Sequence, residues 1–392
     1  MGLQTSIKTS PVQVAATQPV GAVHLIHTVA YGGVETAVLN WLQRLDRSMF
    51  EPHLVCFENP GATESHFVRA AEDRGFAVAK IPWGRRKPLW KASRALARIV
   101  RERRAQILHT HNWYADFVGA LTARLVPVKT VTTLYVWSDF DWKRNLLQRM
   151  DQYVIRSFDV ISAHCEDTRR KTVALGIPEE RVRTLICGFE APKVAILPCE
   201  RQRRRAQYGV RPGEIVLANI ARLYPEKAQE ALLRIFRRIL QRHPQTRLWI
   251  VGIGPLESRL KALATEMGLN DRVSFLGFID DLPSFLPLVD IHVNSSTAEG
   301  VPLAICSGLA AGLPIVATEV GGLPEILDYG RCGVLVPRDD EAGFAAAVSH
   351  LIEHPDERAR LAATGQRFIE NDYSLSTAVD RVQGTYCEVL NL

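Results

Sequence analysis

Two doubly wound α/β domains with parallel sheets, facing each other across a cleft, are the fold this sequence predicts. Three observations predict it. Short apolar runs rich in β-branched residues alternate with segments of helical period. The alternation occurs twice, before and after a charged, Pro- and Gly-containing stretch at 190–213. A chain of 392 residues is also long enough to bury two cores.

The elements follow in order. Residues 1–20 are polar, contain proline and lack an apolar signal core, so they read as a loose tail, not a secretory leader. The first domain, 21–195, has strand candidates at 23–29 (VHLIHTV), 52–57, 107–111 (ILHTH), 129–137 (KTVTTLYVW) and 159–165. The second, 205–370, has them at 214–222, 246–254, 273–278, 290–296 and 314–320. Helical periodicity covers 34–45, 91–104, 227–243, 256–268 and 301–312. A last helix within 371–392 is expected to pack back on the first domain. Residues 190–213 read as the linker region.

Composition narrows the class. With 47% hydrophobic and 23% charged residues, the chain resembles an ordinary globular enzyme. No apolar run reaches the ~18 residues needed to span a bilayer. Cysteines at 56, 165, 187, 199, 306, 332 and 387 form no C-x-x-C pair. Their odd, scattered set argues for reduced thiols in the cytoplasm and against a disulfide frame or structural zinc. Residues 1–200 carry 27 Lys/Arg against 19 Asp/Glu, while the remainder carries 21 against 23. The uneven charge suggests two domains facing different partners, with nucleic acid or an anionic membrane as candidates for the basic half.

The chemistry starts at Arg222 and Lys227. They flank a turn at Pro225 between a strand and a helix, at the carboxyl end of the strand, where ligands of open parallel sheets bind. Fixed cations there stabilise a departing diphosphate most strongly in the transition state. Alone, such a pair is a solvated turn flank. Residues 296–327 change that reading. Glu299 ends a loop, Gly300 permits close backbone approach, and Pro302 suits a first helical turn whose amides can hold a phosphate or sugar hydroxyl.

These motifs resemble family 4 of the retaining glycosyltransferases, which have the GT-B fold of two Rossmann-like domains. The matching residues are Arg222, Lys227, Gly252, Gly254, Glu299, Gly300, Pro302, Gly312, Pro314, Gly321, Gly322 and Glu325. The resemblance extends over roughly residues 21–385 and is most specific in the second half. It implies that Arg222 and Lys227 hold the donor diphosphate. It also implies that Glu299 and the backbone of Gly300, Val301, Pro302 and Leu303 hold the sugar and β-phosphate. In the first half, Tyr31-Gly32-Gly33-Val34-Glu35 matches the family's glycine entry loop, with amides facing the cleft. His109 and His111 end a strand on the same side, where the family places a histidine near the acceptor. His111, Asn112 and Tyr135 are the acceptor-side candidates, with a core role for the histidine as the alternative.

Two departures stand out. The family's ribose-binding glutamate, eight residues after Glu299, is Ser307 here, shorter and neutral. Its hydroxyl either reaches the ribose through water or simply packs the helix. Where the family carries a histidine after the next strand, this chain has Tyr135, a poor base near neutral pH. Asp139 and Asp141 form a D-x-D, a metal motif in other transferases. It lies in the first domain, away from the diphosphate cations, and reads as helix capping, so no essential metal or other cofactor is expected.

Residues 83–104 hold nine Lys/Arg and one acid beside Trp83 and Trp90. They suit an anionic membrane face or an ordinary solvated helix; no recognition motif supports nucleic acid. The combined expectation is a metal-independent, retaining transferase moving a sugar from a UDP- or GDP-sugar to a saccharide, lipid-linked or small-molecule acceptor. Polysaccharide or glycoconjugate synthesis in the cytoplasm, or on the cytoplasmic membrane face, is its setting. The alternatives are a non-catalytic accessory protein and a nucleotide-sugar epimerase or hydrolase.

Overall fold

Strands separated by helical crossovers can pair only in parallel, and right-handed crossovers then distribute the helices over both faces of a sheet. The computed structural model follows that rule twice. It describes residues 18–27, 33–58, 63–84, 87–135, 142–189 and 196–392.

The first domain runs β1 (Val20–Ile26), α1 (Gly33–Arg44), β2 (Phe50–Glu58), α2 (Thr63–Glu72), β3 (Val78–Pro82), α3 (Leu89–Glu102), β4 (Ala105–His111), α4 (Trp113–Ala123), β5 (Lys129–Leu134), α5 (Trp142–Val154), β6 (Val160–Ala163), α6 (Glu166–Ala174) and β7 (Val182–Thr184). The second runs α7 (Pro198–Gln207), β8 (Ile215–Ile220), α8 (Gln229–Arg242), β9 (Thr246–Val251), α9 (Glu257–Glu266), β10 (Val273–Gly277), α10 (Leu282–Phe285), β11 (Ile291–Asn294), α11 (Leu303–Ala310), β12 (Ile315–Thr318), α12 (Leu323–Ile326), β13 (Val334–Val336), α13 (Glu341–Glu353) and α14 (Pro355–Asp372). A final helix, α15 (Leu375–Leu390), packs against α1 of the first domain.

All described strand pairings are parallel, in the orders β3-β2-β1-β4-β5-β6-β7 and β10-β9-β8-β11-β12-β13. Each order reverses direction once, between β1 and β4 and between β8 and β11. These reversals open a crevice at the carboxyl ends of the strands. The buried strands read as continuous apolar runs because both faces are covered, and Val23, Leu25, Leu217 and Ile250 are fully buried.

Three strands were not apparent in the sequence. β3, β7 and β13 lie at sheet edges and are only three to five residues long; Lys80 interrupts β3, and Arg183 and Thr184 make up most of β7. The stretch 190–213, expected to be a linker, contains α7. Its charge run is misleading, because Arg201 and Arg205 turn inward to Asp290 at 2.7 and 3.0 Å and fix α7 to the second domain. Tyr208 follows, packed on Trp249 and Phe285. No described helix is long and apolar enough to cross a membrane. All seven cysteines are free thiols.

Candidate active site

The second domain's crevice gathers four loops, after β8, β9, β11 and β12. After β8 the chain turns at residues 225–227, and Ala228 adopts a left-handed conformation before α8 starts. This turn presents Lys227 to the loop after β11. Lys227 Nζ lies 2.7 Å from Glu299 Oε2. Glu299 Oε1 accepts from Ser296 Oγ at 2.6 Å and from Asn294 Nδ2 at 3.2 Å. With the Glu299 side chain only 5% exposed, this carboxylate is held by one cation and two neutral donors, as burial requires. The two loops are also joined by their backbones, Thr297 N donating to Glu226 O at 2.8 Å.

Two glycines make the close approach possible. A Cβ on Gly321, whose φ is +55°, would sit 1.8 Å from the Glu299 carbonyl oxygen. One on Gly254 would sit 2.4 Å from the Leu223 carbonyl oxygen. Both distances are impossible for any other residue, so the glycines are fixed by loop-on-loop contact. Arg222 differs from Lys227. Its side chain is 62% exposed, lies over the Tyr224 ring at 4.9 Å and is 3.8 Å from Glu226. Arg222 therefore stands open to solvent, whereas Lys227 is held by its buried partner.

The loop bearing Gly300, Val301 and Pro302 leads into α11, which begins at Leu303. The first-turn amides of a helix have no acceptor within the helix and point out of its end. Here that end meets the other domain, with Leu303 Cδ1 3.5 Å from where a Cβ on Gly33 would lie. The N-termini of α1 and α11 thus converge across the cleft. Ser307 lies one turn below Leu303 on the same side. It is half-buried, and its hydroxyl donates to the Leu303 carbonyl at 2.9 Å. Glu325 ties the domains together. Its carboxylate accepts from the Glu166 amide at the start of α6 at 2.6 Å and from Tyr373 OH at 3.0 Å.

On the first domain, His111 ends β4 as the strand pattern requires, but its ring is fully buried. His111 Nδ1 meets Tyr135 OH at 2.9 Å, and Nε2 meets His24 Nδ1 at 3.2 Å. The chain continues from His24 Nε2 to Tyr386 OH at 3.0 Å, on to His109 Nδ1 at 2.8 Å, and from His109 Nε2 to Thr133 Oγ1 at 2.7 Å. Burial holds all three imidazoles well below their ordinary pKa, His24 at about 3, so they are neutral. Their nitrogens lie within 4.8 Å of one another, the one such grouping among the described residues. Every nitrogen there already has a partner. The buried His111 is not open to an acceptor, and Tyr135 is its outermost neighbour, with burial pushing its phenol pKa upward. Asn112 caps α4 with φ +77°, and its amide nitrogen lies 3.4 Å from the His27 carbonyl.

Sequence reasoning missed Asn294, Ser296 and Tyr386. The first two lie just before Glu299 in the strand–loop run that was already singled out. Tyr386 is 277 residues from His109 and gave no local signal. Tyr31, Gly32, Asp139 and Asp141 lie outside the described residues.

Comparison with known proteins agrees with this geometry. Residues 214–354 match the model of the glycosyl transferases group 1, and residues 32–188 match that of the glycosyl transferase 4-like domain. EpsD of Bacillus subtilis, which carries the name of a glycosyltransferase, is 30% identical over 283 residues, covering 70% of this chain and 74% of that one. The GDP-mannose-dependent alpha-(1-6)-phosphatidylinositol monomannoside mannosyltransferase of Mycolicibacterium smegmatis is 27% identical over 250 residues, 62% of this chain and 64% of that one. Among solved structures, Anabaena Alr3699/HepE in complex with UDP superimposes with a TM-score of 0.82 at 21% identity, over 94% of this chain and all of that one. That likeness shows the GT-B fold. The two matched domains, the order of their motifs and the paired sheets together place this chain in the group 1, family 4 glycosyltransferases.

Proposed function

We propose that the protein transfers a sugar from a nucleotide diphosphate sugar to an acceptor hydroxyl, with retention at the anomeric carbon and without a metal ion. The observation that carries this reading is the Lys227–Glu299 pair at the β8/β11 reversal, with the exposed cation Arg222 on the same turn. Arg222 and Lys227 take the diphosphate and offset the charge that develops as the glycosidic bond breaks. The backbone N–H groups of Gly300, Val301 and Leu303, at the start of α11, hold the β-phosphate; Pro302 between them has none to offer. Glu299 accepts from sugar hydroxyls on the lone pairs that Lys227, Ser296 and Asn294 leave open. The acceptor enters from the first domain, past Gly33, Asn112 and Tyr135, and His111 positions Tyr135. The acceptor oxygen attacks the face from which the diphosphate leaves, and a phosphate oxygen takes its proton.

The donor is a UDP- or GDP-sugar: HepE was solved with UDP, and the M. smegmatis relative is named for GDP-mannose. The acceptor is a saccharide, a lipid-linked sugar or a small molecule, in a cytoplasmic pathway of polysaccharide or glycoconjugate synthesis. A second reading, a non-catalytic accessory protein, is favoured by Ser307 and Tyr135. The intact buried ion pair weighs against it, since a dead site gains nothing from two oriented charges. Proton NMR of the first-formed free sugar, with water as acceptor, tests the proposal. The axial donor anomer should appear first, together with nucleoside diphosphate. Inverted sugar would refute retention, and donor binding without diphosphate release would favour the accessory protein.

A further inference from the structure

Helix α5 buries one side and leaves large apolar side chains in water on the other. Asp151 is sealed inside, whereas Trp142 is 72% exposed, Leu146 53%, Met150 50% and Tyr153 79%. At about 100° per residue, these four fall within roughly 80° of arc. Exposed Arg149 borders the stripe on one side and exposed Lys143 on the other. No acidic residue of α5 lies on the exposed side.

The stripe belongs to a larger face. α3, α4 and α5 form one layer on the same side of the first sheet, with α4 in the middle. From α3 this layer presents Trp90, 51% exposed with Arg94 over its ring at 5.1 Å, and the exposed cations Lys91, Arg98 and Arg101. Glu102 is the one acid of α3. Trp83, expected from the sequence to join this face, is buried instead against Phe57 and Tyr114, so α5 supplies most of its apolar part.

We propose that this layer is a docking face for an anionic lipid surface. Tryptophan and tyrosine settle at the headgroup level, leucine and methionine reach below it, and the flanking lysines and arginines meet lipid phosphates. The charge decides between occupants. A second copy docked by the same face would set cations against cations across a two-fold axis. A nucleic acid would satisfy the cations but leave Leu146 and Met150 without a role. Helix α5 starts on the side of β5's carboxyl end, so Trp142 lies toward the rim of the cleft. Docking there brings headgroups to the acceptor side. The face uses no residue of the donor cleft, and its failure would leave the proposed chemistry untouched.

Co-sedimentation with phosphatidylcholine vesicles, with and without phosphatidylglycerol, tests this on the full chain. Wild type should bind only the anionic vesicles, less as salt rises. The triple variant Lys91→Glu/Arg94→Glu/Arg149→Glu should partition at least about 10²-fold less, at a factor of about five per lost cation. Trp142→Ser/Leu146→Ser/Met150→Ser should also detach. Brominated lipid should quench wild-type fluorescence, and Trp142→Phe, which keeps an aromatic ring, should lose most of that quenching without changing Tm. No sedimentation with anionic vesicles at low salt would overturn the proposal, as would binding that neither triple variant alters. It would equally be overturned by a wild-type dimer that the α5 variant dissolves while vesicles are ignored, or by retention on mixed RNA in preference to vesicles.

Discussion

Lys227→Ala removes the one cation bonded to a nearly inaccessible carboxylate, and its cost follows from the geometry. The Lys227 and Glu299 side chains are 14% and 5% exposed and 2.7 Å apart. Without the ammonium, Glu299 keeps only the Ser296 and Asn294 donors, neither charged. Breaking a buried pair by deleting one member costs about 3–5 kcal/mol, since the remaining charge stays desolvated. The partial exposure of Lys227 puts this site at the low end, about 3 kcal/mol. For a domain of this size, that is a fall in Tm of roughly 6–12 °C. Catalysis should suffer separately, with kcat down about 10²-fold through lost charge stabilisation. Lys227→Met/Glu299→Gln separates the two effects: it neutralises both partners and should recover most of the stability but none of the turnover. Differential scanning calorimetry beside a nucleoside diphosphate release assay reads both. If Lys227→Ala melts with wild type and turns over at the wild-type rate, the pair is neither buried in effect nor part of the site.

Three further outcomes follow from the structure. Ser307→Glu, one turn below Leu303 on the cleft side, should tighten donor binding about ten-fold or more in calorimetry through a charge-assisted bond to ribose, with kcat little changed; weaker binding with a lower Tm would mean the helix is packed there. Turnover should survive excess EDTA, because fixed cations and helix amides do the work of a metal; loss restored by Mg²⁺ or Mn²⁺ would contradict this. Burial holds His24 and His164 at about 3 and His27 and His292 at about 4, so the unfolded chain binds protons first as pH falls below about 6.5. Stability is fully present above that pH and drains toward pH 3–4, by about 2 kcal/mol per histidine at pH 5; a Tm that stays flat from pH 7 to 5 would refute it.

Legibility in the sequence tracked locality. The ten apolar runs read as strands are all strands, because a parallel sheet covered on both faces demands such runs. The edge strands β3, β7 and β13 escaped because three to five residues are too few to show a periodic or continuous apolar run. Charge misled at α7, where Arg201 and Arg205 are solvated in pattern but bonded to Asp290 in the fold. The second domain's crevice was readable because Arg222, Lys227, Glu299 and the glycines lie in short loops of fixed spacing at strand ends. The first domain's side was not. His111 stays open between an acceptor-side and a core role until Tyr386, brought in by the last helix, closes the network around its neighbours His24 and His109. The amphipathic stripe of α5 was overlooked for a different reason. Periodicity shows which residues share a face, but only packing shows which face is left in water.

Calorimetric titration of UDP and of GDP into wild type and Lys227→Ala, both in EDTA, tests the donor site most directly. The account predicts that one nucleotide binds wild type at a single site and binds the variant at least about ten-fold more weakly. Equal affinity for both proteins, or no binding of either nucleotide to a folded wild type, would contradict it.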